Sequence, residues 1–414
     1  MFHCSIVSLL FVTSNNRTIE QSNNLMSKTL KDISLIILST LAITILIWLP
    51  HLLRLNFYGL NFSEGFNTIY RNFDGINYII IAKSLYREQI ISGLPQDLPH
   101  TYYAAHFPLY SILILIFSPL LGFLKSMLFV SVISTAAAAI AFYFLVRDFK
   151  LTHQPLFLSI VFLILPARWL IVHSVGSAEP TFIFFTIMAL YFFLKFEDRR
   201  NYLDITLAGM FGLLAQWTRP PGILLFVAFG IYIIWKSYSS SLAKFLTQTL
   251  KNSLNSYPLI LIPLGLLSIF FLYQYTYGDF FAYFHSGDNI HLTFPPFQVF
   301  NINQFWVGDI WLEDIVYTYL LGLLAGIMLL KTERLKVLGI YVLTYAGASL
   351  FVAHRDISRY ILPVFPFALI AFEKILISKE FKIVLAILIL GIYLYSQNFI
   401  IANTAPIARP EVFN

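Results

Sequence analysis

Long apolar runs, separated by short polar segments, recur along most of the chain. Roughly a dozen of them approach the ~20 residues that a helix needs to cross a bilayer. The pattern predicts an all-α, polytopic integral membrane protein with about 11–12 transmembrane or re-entrant helices. The runs cover residues 34–53, 107–122, 126–146, 156–172, 181–195, 203–217, 221–235, 257–274, 315–330, 337–353, 361–376 and 382–399.

Composition supports the same class. Of the 414 residues, 58% are hydrophobic and only 12% are charged, and the mean hydropathy is +0.75. The single cysteine, Cys4, excludes an internal disulfide and a cysteine-built metal site. Residues 1–25 are predicted to be a disordered tail or a mis-assigned start, since Met26 offers an alternative beginning. Residues 26–414 are predicted to form a single membrane domain.

Lys and Arg mark one set of helix ends, at 147–150, 195–200, 331–336 and 373–381. The positive-inside rule assigns these ends to the cytoplasm. The polar segment 236–256 is predicted to be an amphipathic helix on the same membrane surface. The net charge of +6 fits these cytoplasmic residues, and no nucleic-acid-binding module is recognisable. The opposite helix ends, rich in His, Asp, Arg and aromatic residues, are then extracytoplasmic. They include the outer loops 54–106 and 275–312.

The first outer loop contains the stretch "NFDGINYIIIAKSLYREQ". From Gly75 to Ile91 the polar and apolar residues separate at helical spacing, which predicts an amphipathic helix lying in the interface. Asp74 stands at its N-terminus, where an acid can cap the free amides or serve chemistry with lipid-borne substrates. The sequence leaves both interpretations of Asp74 open.

Three apolar runs separate Asp74 from Glu179, and three crossings would place the two acids on opposite sides of the membrane. If both face one cavity, either one run is re-entrant or two runs form a shallow hairpin around Gly122–Lys125. Both alternatives stay open on the sequence alone.

Further charged residues stand at the predicted outer helix ends. Glu179 precedes Pro180 at a helix start, Arg219 lies in the turn "WTRPPG", and Arg359 ends the segment "HRDISR". Each residue has a structural interpretation by itself, as a dipole partner, a snorkelling side chain or a member of an internal ion pair. Ionisable residues gathered on one side of a membrane protein more often mark a functional site.

The order of the motifs "FDGINYIIIA", "FPLY", "SAEP", "RPPG" and "RYILPVFP" resembles the GT-C class of polytopic glycosyltransferases. The closest type is the GPI mannosyltransferase II type and its prokaryotic relatives. Phe73 stands where that family more often has Trp, Ser111 replaces a second proline, and Ala178 separates Ser177 from Glu179. The resemblance covers most of the chain, from Phe73 to Pro366.

The resemblance implies transfer of a sugar, mannose in that type, from a polyprenyl-phosphate carrier to a lipid-linked or other hydroxyl acceptor at the extracytoplasmic face. Membrane lipids are the remaining expected partners, and nucleic acid is not one. Such a transfer needs a general base and cations that hold the leaving phosphate. The residues expected to supply these functions are Asp74 and Glu179 as catalytic carboxylates, with Arg219, Arg359, Arg355, His354 and His106 as substrate-binding residues.

Two points stay open. No cofactor is required, although Asp74 and Glu179 together offer oxygen ligands for a divalent metal. The outer loop, with Asp279, His285, Asp288 and His291, either covers the acceptor or is an ordinary aromatic loop.

A different functional class is also compatible with the sequence. A transporter or flippase of lipid-linked sugars would carry ionisable residues near the bilayer midplane. Here the apolar runs are nearly free of charge and the charges gather at their ends. That distribution favours surface chemistry over transport. A non-catalytic assembly factor, in which the motifs are remnants, is a third interpretation.

Overall fold

The computed structural model describes residues 3–287, 292–307, 312–405 and 409–414, with side chains from Met26 onward. Asp288, His291 and the side chains of residues 1–25 lie outside this description, so the predictions made for them stay predictions. The helices of the first half are α1 His3–Leu53, α2 Asn67–Tyr70, α3 Gly75–Ser84, α4 Glu88–Ile91, α5 Pro108–Leu121, α6 Phe123–Asp148, α7 Pro155–Ile164, α8 Ala167–Val172, α9 Glu179–Arg199 and α10 Tyr202–Thr218.

The second half continues in the same all-helical manner, with α11 Ile223–Lys236, α12 Leu242–Asn255, α13 Leu261–Tyr277, α14 Ala282–His285, α15 Leu312–Leu330, α16 Lys336–Ser349, α17 Ile357–Tyr360, α18 Phe365–Ala371, α19 Glu373–Leu376 and α20 Lys379–Ala402. Short 3₁₀ turns lie at His100–Ala105, Pro220–Gly222, Tyr257–Ile260, Gln298–Phe300, Glu333–Leu335, Leu362–Val364 and Pro410–Phe413. A small antiparallel hairpin in the first loop pairs β1 Asn56–Phe57 with β2 Leu60–Asn61.

Six helices in the described residues are long and apolar enough to cross a membrane: Met26–Leu53, Phe123–Asp148, Glu179–Arg199, Tyr257–Tyr277, Leu312–Leu330 and Lys379–Ala402. Shorter apolar helices run between them, at Pro108–Leu121, Pro155–Ile164, Pro220–Lys236 and Ile357–Ala371. The predicted all-α, multi-pass membrane fold is therefore confirmed, although several predicted runs are shorter or broken helices.

The path between Asp74 and Glu179 follows one of the two expected alternatives. At the start of α5 the Tyr110 hydroxyl lies 2.7 Å from Ser131 Oγ of α6, so α5 and α6 fold back on each other at Gly122. With 14 residues, α5 is about 21 Å long, too short for a hydrocarbon core of ~30 Å. α5 is therefore the run that does not cross, whereas α6, with 26 residues, is long enough to span.

Beyond its contact with α5, α6 runs parallel to α9. Ser134 pairs with Thr181 at 2.8 Å near one end of the two helices, and Tyr191 donates to Asp148 at 2.6 Å near the other. The chain returns between them through α7 and α8. Asp74 and Glu179 consequently lie at the same end of the bundle.

The helix after Asp74 differs from its prediction in length and burial. It ends at Ser84 rather than Ile91, because Leu85 and Tyr86 adopt left-handed backbone angles, with φ of 48° and 65°. Most of α3 is buried, and it packs against α5 and α6 instead of resting one apolar face on lipid. Of the polar residues in this stretch, Asn77, Lys83 and Ser84 lie in α3, whereas Arg87 and Glu88 follow it.

Close backbone approach fixes the head of α3. A Cβ atom on Gly75 would lie 2.8 Å from Met127 Sδ and 3.2 Å from the Gly176 carbonyl oxygen. Only glycine allows the segment before α9 to pass so near to α3. This contact brings Asp74 and Glu179 into one neighbourhood.

The predicted amphipathic segment 236–256 forms α12, which has no buried residue. Leu242, Leu246 and Leu250 recur on one side of this helix and are all exposed. Such a helix suits the membrane surface, as expected from its sequence.

The sidedness of the bundle gives a direct prediction. Because basic residues mark the end opposite to Asp74, Tyr58→Cys should face the extracytoplasmic side and Glu333→Cys the cytoplasm. Tyr58 is 77% exposed, and the Glu333 side chain is 82% exposed, so both cysteines can react. In a Cys4→Ala background, an impermeant maleimide should label intact cells at position 58 only. Labelling at 333 in intact cells, with none at 58, would reverse the topology.

Candidate functional site

Each sequence-predicted acid and arginine lies where a helix begins or ends. Asp74 immediately precedes α3, Glu179 is the first residue of α9 with Pro180 behind it, and Arg359 belongs to the short helix α17. Arg219 follows α10 in an extended conformation, with φ −151° and ψ 147°, as expected for a residue before proline. Each of these four side chains therefore projects from a helix end, and all four can reach the same space.

The structure joins these four residues into one ion-pair network. Arg359 bridges the two acids: its Nε donates to Glu179 Oε1 at 2.6 Å, and its Nη2 donates to Asp74 Oδ2 at 2.8 Å. Arg219 Nη1 lies 2.6 Å from the same Glu179 oxygen. Ser177 Oγ donates to the other carboxylate oxygen of Glu179. Two carboxylates and two guanidinium groups thus balance each other's charge.

Burial makes this balance necessary. The Glu179 side chain is fully buried, and the side chains of Arg219 and Arg359 are 11% and 6% exposed. A charge removed from water carries a desolvation cost of several kcal/mol, which only a well-placed counter-charge offsets. Glu179 is therefore the central anion of the network, and Asp74, the more exposed acid, is its outer end.

Asp74 is not a helix cap in this structure. It occupies the N-cap position of α3, but its carboxylate makes no capping hydrogen bond and turns to Arg359 instead. Burial by itself would raise the pKa of Asp74, but the charges of Arg359 and His106 outweigh it and hold the pKa well below its usual range. Asp74 is ionised at neutral pH.

His106 extends the network on the other side of Asp74. Its Nε2 lies 4.0 Å from Asp74 Oδ1, and its ring sits between those of Tyr78 and Tyr102, with centroid distances of 5.1 and 5.7 Å. The buried Nδ1 has no hydrogen-bond partner among the described residues. His106 is thus placed to meet a polar group that enters the site.

These residues face a cavity of about 870 Å³. Asp74, His106, Arg219 and Arg359 line it, whereas Glu179 lies behind the wall and reaches it through the arginines. The predicted residues His354 and Arg355 line the same cavity from the loop before α17. Arg355 is exposed, and its guanidinium lies 5.9 Å from the Phe305 ring. Every residue of the predicted set therefore belongs to this site.

Other lining residues escaped the sequence analysis. They include aromatic side chains from several elements and a segment after α20: Tyr78, Tyr283, Tyr345, Tyr360, Asn403 and Thr404. Two signals were available, because Tyr78 follows Asp74 by four residues, about one helical turn, and Tyr360 follows Arg359 directly. Nothing in the sequence indicated the others. From the outer loop, Asp279 and His285 pair with each other at 2.6 Å instead of lining the cavity.

A metal held jointly by Asp74 and Glu179 does not fit this arrangement. The Arg359 guanidinium lies between the two carboxylates and binds both of them. Among the described residues, no three His, Cys, Asp or Glu side chains are grouped to hold a metal ion.

No protein-family model and no curated protein matches this sequence. Among solved structures, the archaeal oligosaccharyltransferase AglB from Archaeoglobus fulgidus, in complex with an inhibitory peptide and a dolichol-phosphate, is similar, with a TM-score of 0.51 and 13% identity. The similarity covers 90% of this chain and 56% of that one. This chain shares the fold of that structure over the matched part.

A second structure of the Archaeoglobus fulgidus oligosaccharyltransferase, tethered to an acceptor peptide by a disulfide bond, has a TM-score of 0.46 at 14% identity, over 88% of this chain and 54% of its own. This chain spans just over half the length of both structures. The likeness concerns the fold, and the GPI mannosyltransferase type stays a prediction.

The central position of Glu179 predicts a large stability effect. Glu179→Gln leaves two buried guanidinium groups with one carboxylate, so we expect a loss of about 3–5 kcal/mol in the free energy of unfolding. Thermal unfolding in detergent measures it as a lowered melting temperature.

Glu333→Gln is the matched control, because Glu333 pairs with Lys336 on the surface. Exposed pairs contribute little, so its melting temperature should stay near the wild-type value. Equal melting temperatures for both variants would contradict the importance of the buried network.

Proposed function

We propose that this protein is a membrane glycosyltransferase that moves a sugar from a polyprenyl-phosphate carrier to the hydroxyl group of a lipid-linked or other acceptor at the extracytoplasmic face. The observation that carries the proposal is the pairing of two acids with two arginines in the wall of one cavity. The GT-C fold supports it, and mannose is the first sugar to test.

The chemistry requires one base and a site for a phosphate. The acceptor oxygen attacks the anomeric carbon of the donor sugar while the bond from that carbon to the phosphate oxygen breaks. The bonding electrons leave with the polyprenyl phosphate, and the acceptor proton passes to a carboxylate. Asp74 is the candidate base, because it is ionised and lines the cavity, whereas Glu179 is buried behind the arginines.

Arg359 and Arg219 are the candidate phosphate ligands. A guanidinium group binds phosphate oxygens in pairs and stays charged when it is desolvated. Arg359 holds Asp74 by a hydrogen bond, which makes that carboxylate a weak base. A donor phosphate that draws Arg359 toward itself weakens this contact and raises the basicity of Asp74 in the donor complex. Glu179 keeps both arginines in place during the exchange.

The remaining cavity residues suit a carrier and an acceptor that arrive along the membrane. Arg355 and His354 stand near the exposed side of the cavity and can contact the anionic headgroup, and His106 can orient the acceptor hydroxyl. The oligosaccharyltransferase of similar fold was solved with a dolichol-phosphate, which supports a polyprenyl carrier here. The aromatic lining offers flat apolar surfaces for the faces of sugar rings.

Purified protein in liposomes should transfer radiolabelled sugar from polyprenyl-phosphate mannose to endogenous lipid extract. Asp74→Asn keeps the shape of the side chain but cannot accept the proton, so turnover should fall by about 10²–10⁴-fold. Product is resolved by thin-layer chromatography. Relocation of the donor across the bilayer without any product would favour the flippase instead.

Asp279→Asn is the matched control for this substitution. Asp279 is an exposed acid of the outer loop that pairs with His285, away from the cavity. Its variant should turn over at nearly the wild-type rate. If Asp74→Asn also retained near-normal turnover, Asp74 would be excluded as the base.

The phosphate assignment predicts a different kinetic effect. Arg359→Lys and Arg219→Lys keep the positive charge but lose the planar fork, so each should raise the KM for the donor severalfold with a smaller change in the KM for the acceptor. Steady-state kinetics with each substrate varied in turn distinguishes the two constants.

Arg334→Lys provides the comparison at the far end of the bundle, where Arg334 pairs with Asp198. It should leave the donor KM unchanged. A donor KM that is equally unaffected in both cavity variants would remove the arginines from phosphate recognition.

A further inference from the structure

Four side chains from distant parts of the chain form a continuous stack beside the ion-pair network. The Arg359 guanidinium lies 4.2 Å from the centroid of the Phe73 ring. The Phe73 and Phe399 rings follow, with centroids 5.7 Å apart and planes inclined by 30°. The Arg168 guanidinium closes the stack at 3.8 Å from the Phe399 centroid. Each ring thus contacts one guanidinium group and the other ring.

Each contact in this stack has a physical basis. A guanidinium group over an aromatic face is attracted by the ring quadrupole, and the attraction is stronger when both groups are desolvated. Tilted and offset ring pairs at this separation are also favourable. The Arg168 side chain is only 10% exposed, and Phe73 and Phe399 are partly buried. The stack is therefore well shielded from water.

Arg168 also reaches the segment that carries Arg359. Its Nε donates to Ser358 Oγ at 3.2 Å, and its Nη2 lies 3.8 Å from Asp356 Oδ1. Ser358 immediately precedes Arg359. Arg168 is consequently linked to Arg359 twice, once through the two rings and once through the backbone of α17.

Phe73 needs such support because its backbone is strained. It has a φ of +47°, in the left-handed region that bulky residues rarely adopt. Asp74 follows directly, so the conformation of Phe73 decides the direction in which the Asp74 carboxylate leaves the backbone. The ring of Phe73 contacts both the Arg359 guanidinium and the Phe399 ring.

We propose that Arg168 and Phe399 are positioning residues of the candidate active site, which hold Phe73, and through it Asp74 and Arg359, in their working arrangement. This inference rests on the proposed function for its kinetic part only. Neither residue lines the cavity, and neither belongs to the sequence motifs that identified the site. Their effect on the reaction passes entirely through the stack.

The decisive variants change the stacking face while keeping position 399 apolar and position 168 positively charged. Phe399→Leu removes the aromatic face, Phe399→Trp retains one, and Arg168→Lys keeps the cation without its planar fork. Displaced catalytic groups commonly cost ten- to a hundredfold in rate, so kcat/KM should fall by about that amount in Phe399→Leu, and less in Arg168→Lys. Phe399→Trp should recover most of the activity.

The pH profile separates positioning from simple loss of folded protein. Arg359 holds the pKa of Asp74 low, so a looser contact lets that pKa rise toward its ordinary value. The acidic limb of kcat/KM should then move to higher pH in Phe399→Leu and Arg168→Lys. A variant that is merely less stable loses activity by the same factor at every pH, with an unmoved limb, and that result would overturn the proposal.

Phe381→Leu is the matched control, since Phe381 is a partly buried phenylalanine at the opposite end of α20. It should leave the acidic limb and kcat/KM close to wild type. A shift as large as that of Phe399→Leu would show that any phenylalanine loss from this helix has the same effect.

A double-mutant cycle tests the stack without any turnover. Melting temperatures of Phe399→Leu, Arg359→Lys and the double variant should be non-additive, because both changes act on the Phe73 ring. Additive effects would contradict the coupling. If the wild-type protein transferred no sugar, the proposed function would fail while this cycle still decided whether the stack links the two residues.

Discussion

The Arg359 guanidinium, shared between Glu179 and Asp74, is the interaction on which the arrangement of this protein depends. Arg359 is 180 positions from Glu179 and 285 positions from Asp74 in the chain. Because Glu179 is fully buried, its charge is tolerable only with Arg359 and Arg219 beside it. Four helix ends must therefore meet at one place, which fixes the end of the bundle where the cavity forms.

The rest of the fold is compatible with that meeting point. The helices carry apolar side chains along their lengths, and the charges of the network lie at helix ends, where Glu179, Arg219 and Arg359 are largely buried. Gly75 and Gly176 let the start of α3 approach the segment before α9. Because α5 does not cross, α6 and the return through α7 and α8 are the two crossings between Asp74 and Glu179, which allows both acids to reach one cavity.

The charge balance of the site has a consequence for the proposed reaction. In that proposal the donor phosphate competes with Asp74 for Arg359, so that donor binding and the basicity of Asp74 are linked through one guanidinium group. The site holds its cations in place before the substrate arrives, which lowers the reorganisation needed during phosphate departure. The stack of Arg168, Phe399, Phe73 and Arg359 adds rigidity from behind the cavity wall.

The sequence by itself determined the membrane class, the helical fold and the four residues of the network. Apolar runs and charge placement are local properties, and a bilayer leaves few structures that satisfy them. Asp74 stayed ambiguous between a cap and a base, because both roles require an acid before a helix. Only the tertiary structure decided that its carboxylate turns to Arg359, that α3 is buried, and that α5 stays shallow. Those outcomes depend on contacts between residues far apart in the chain, which no periodicity along the sequence records. The stack is the clearest case, since Arg168 and Phe399 look like ordinary helix residues until folding places them face to face.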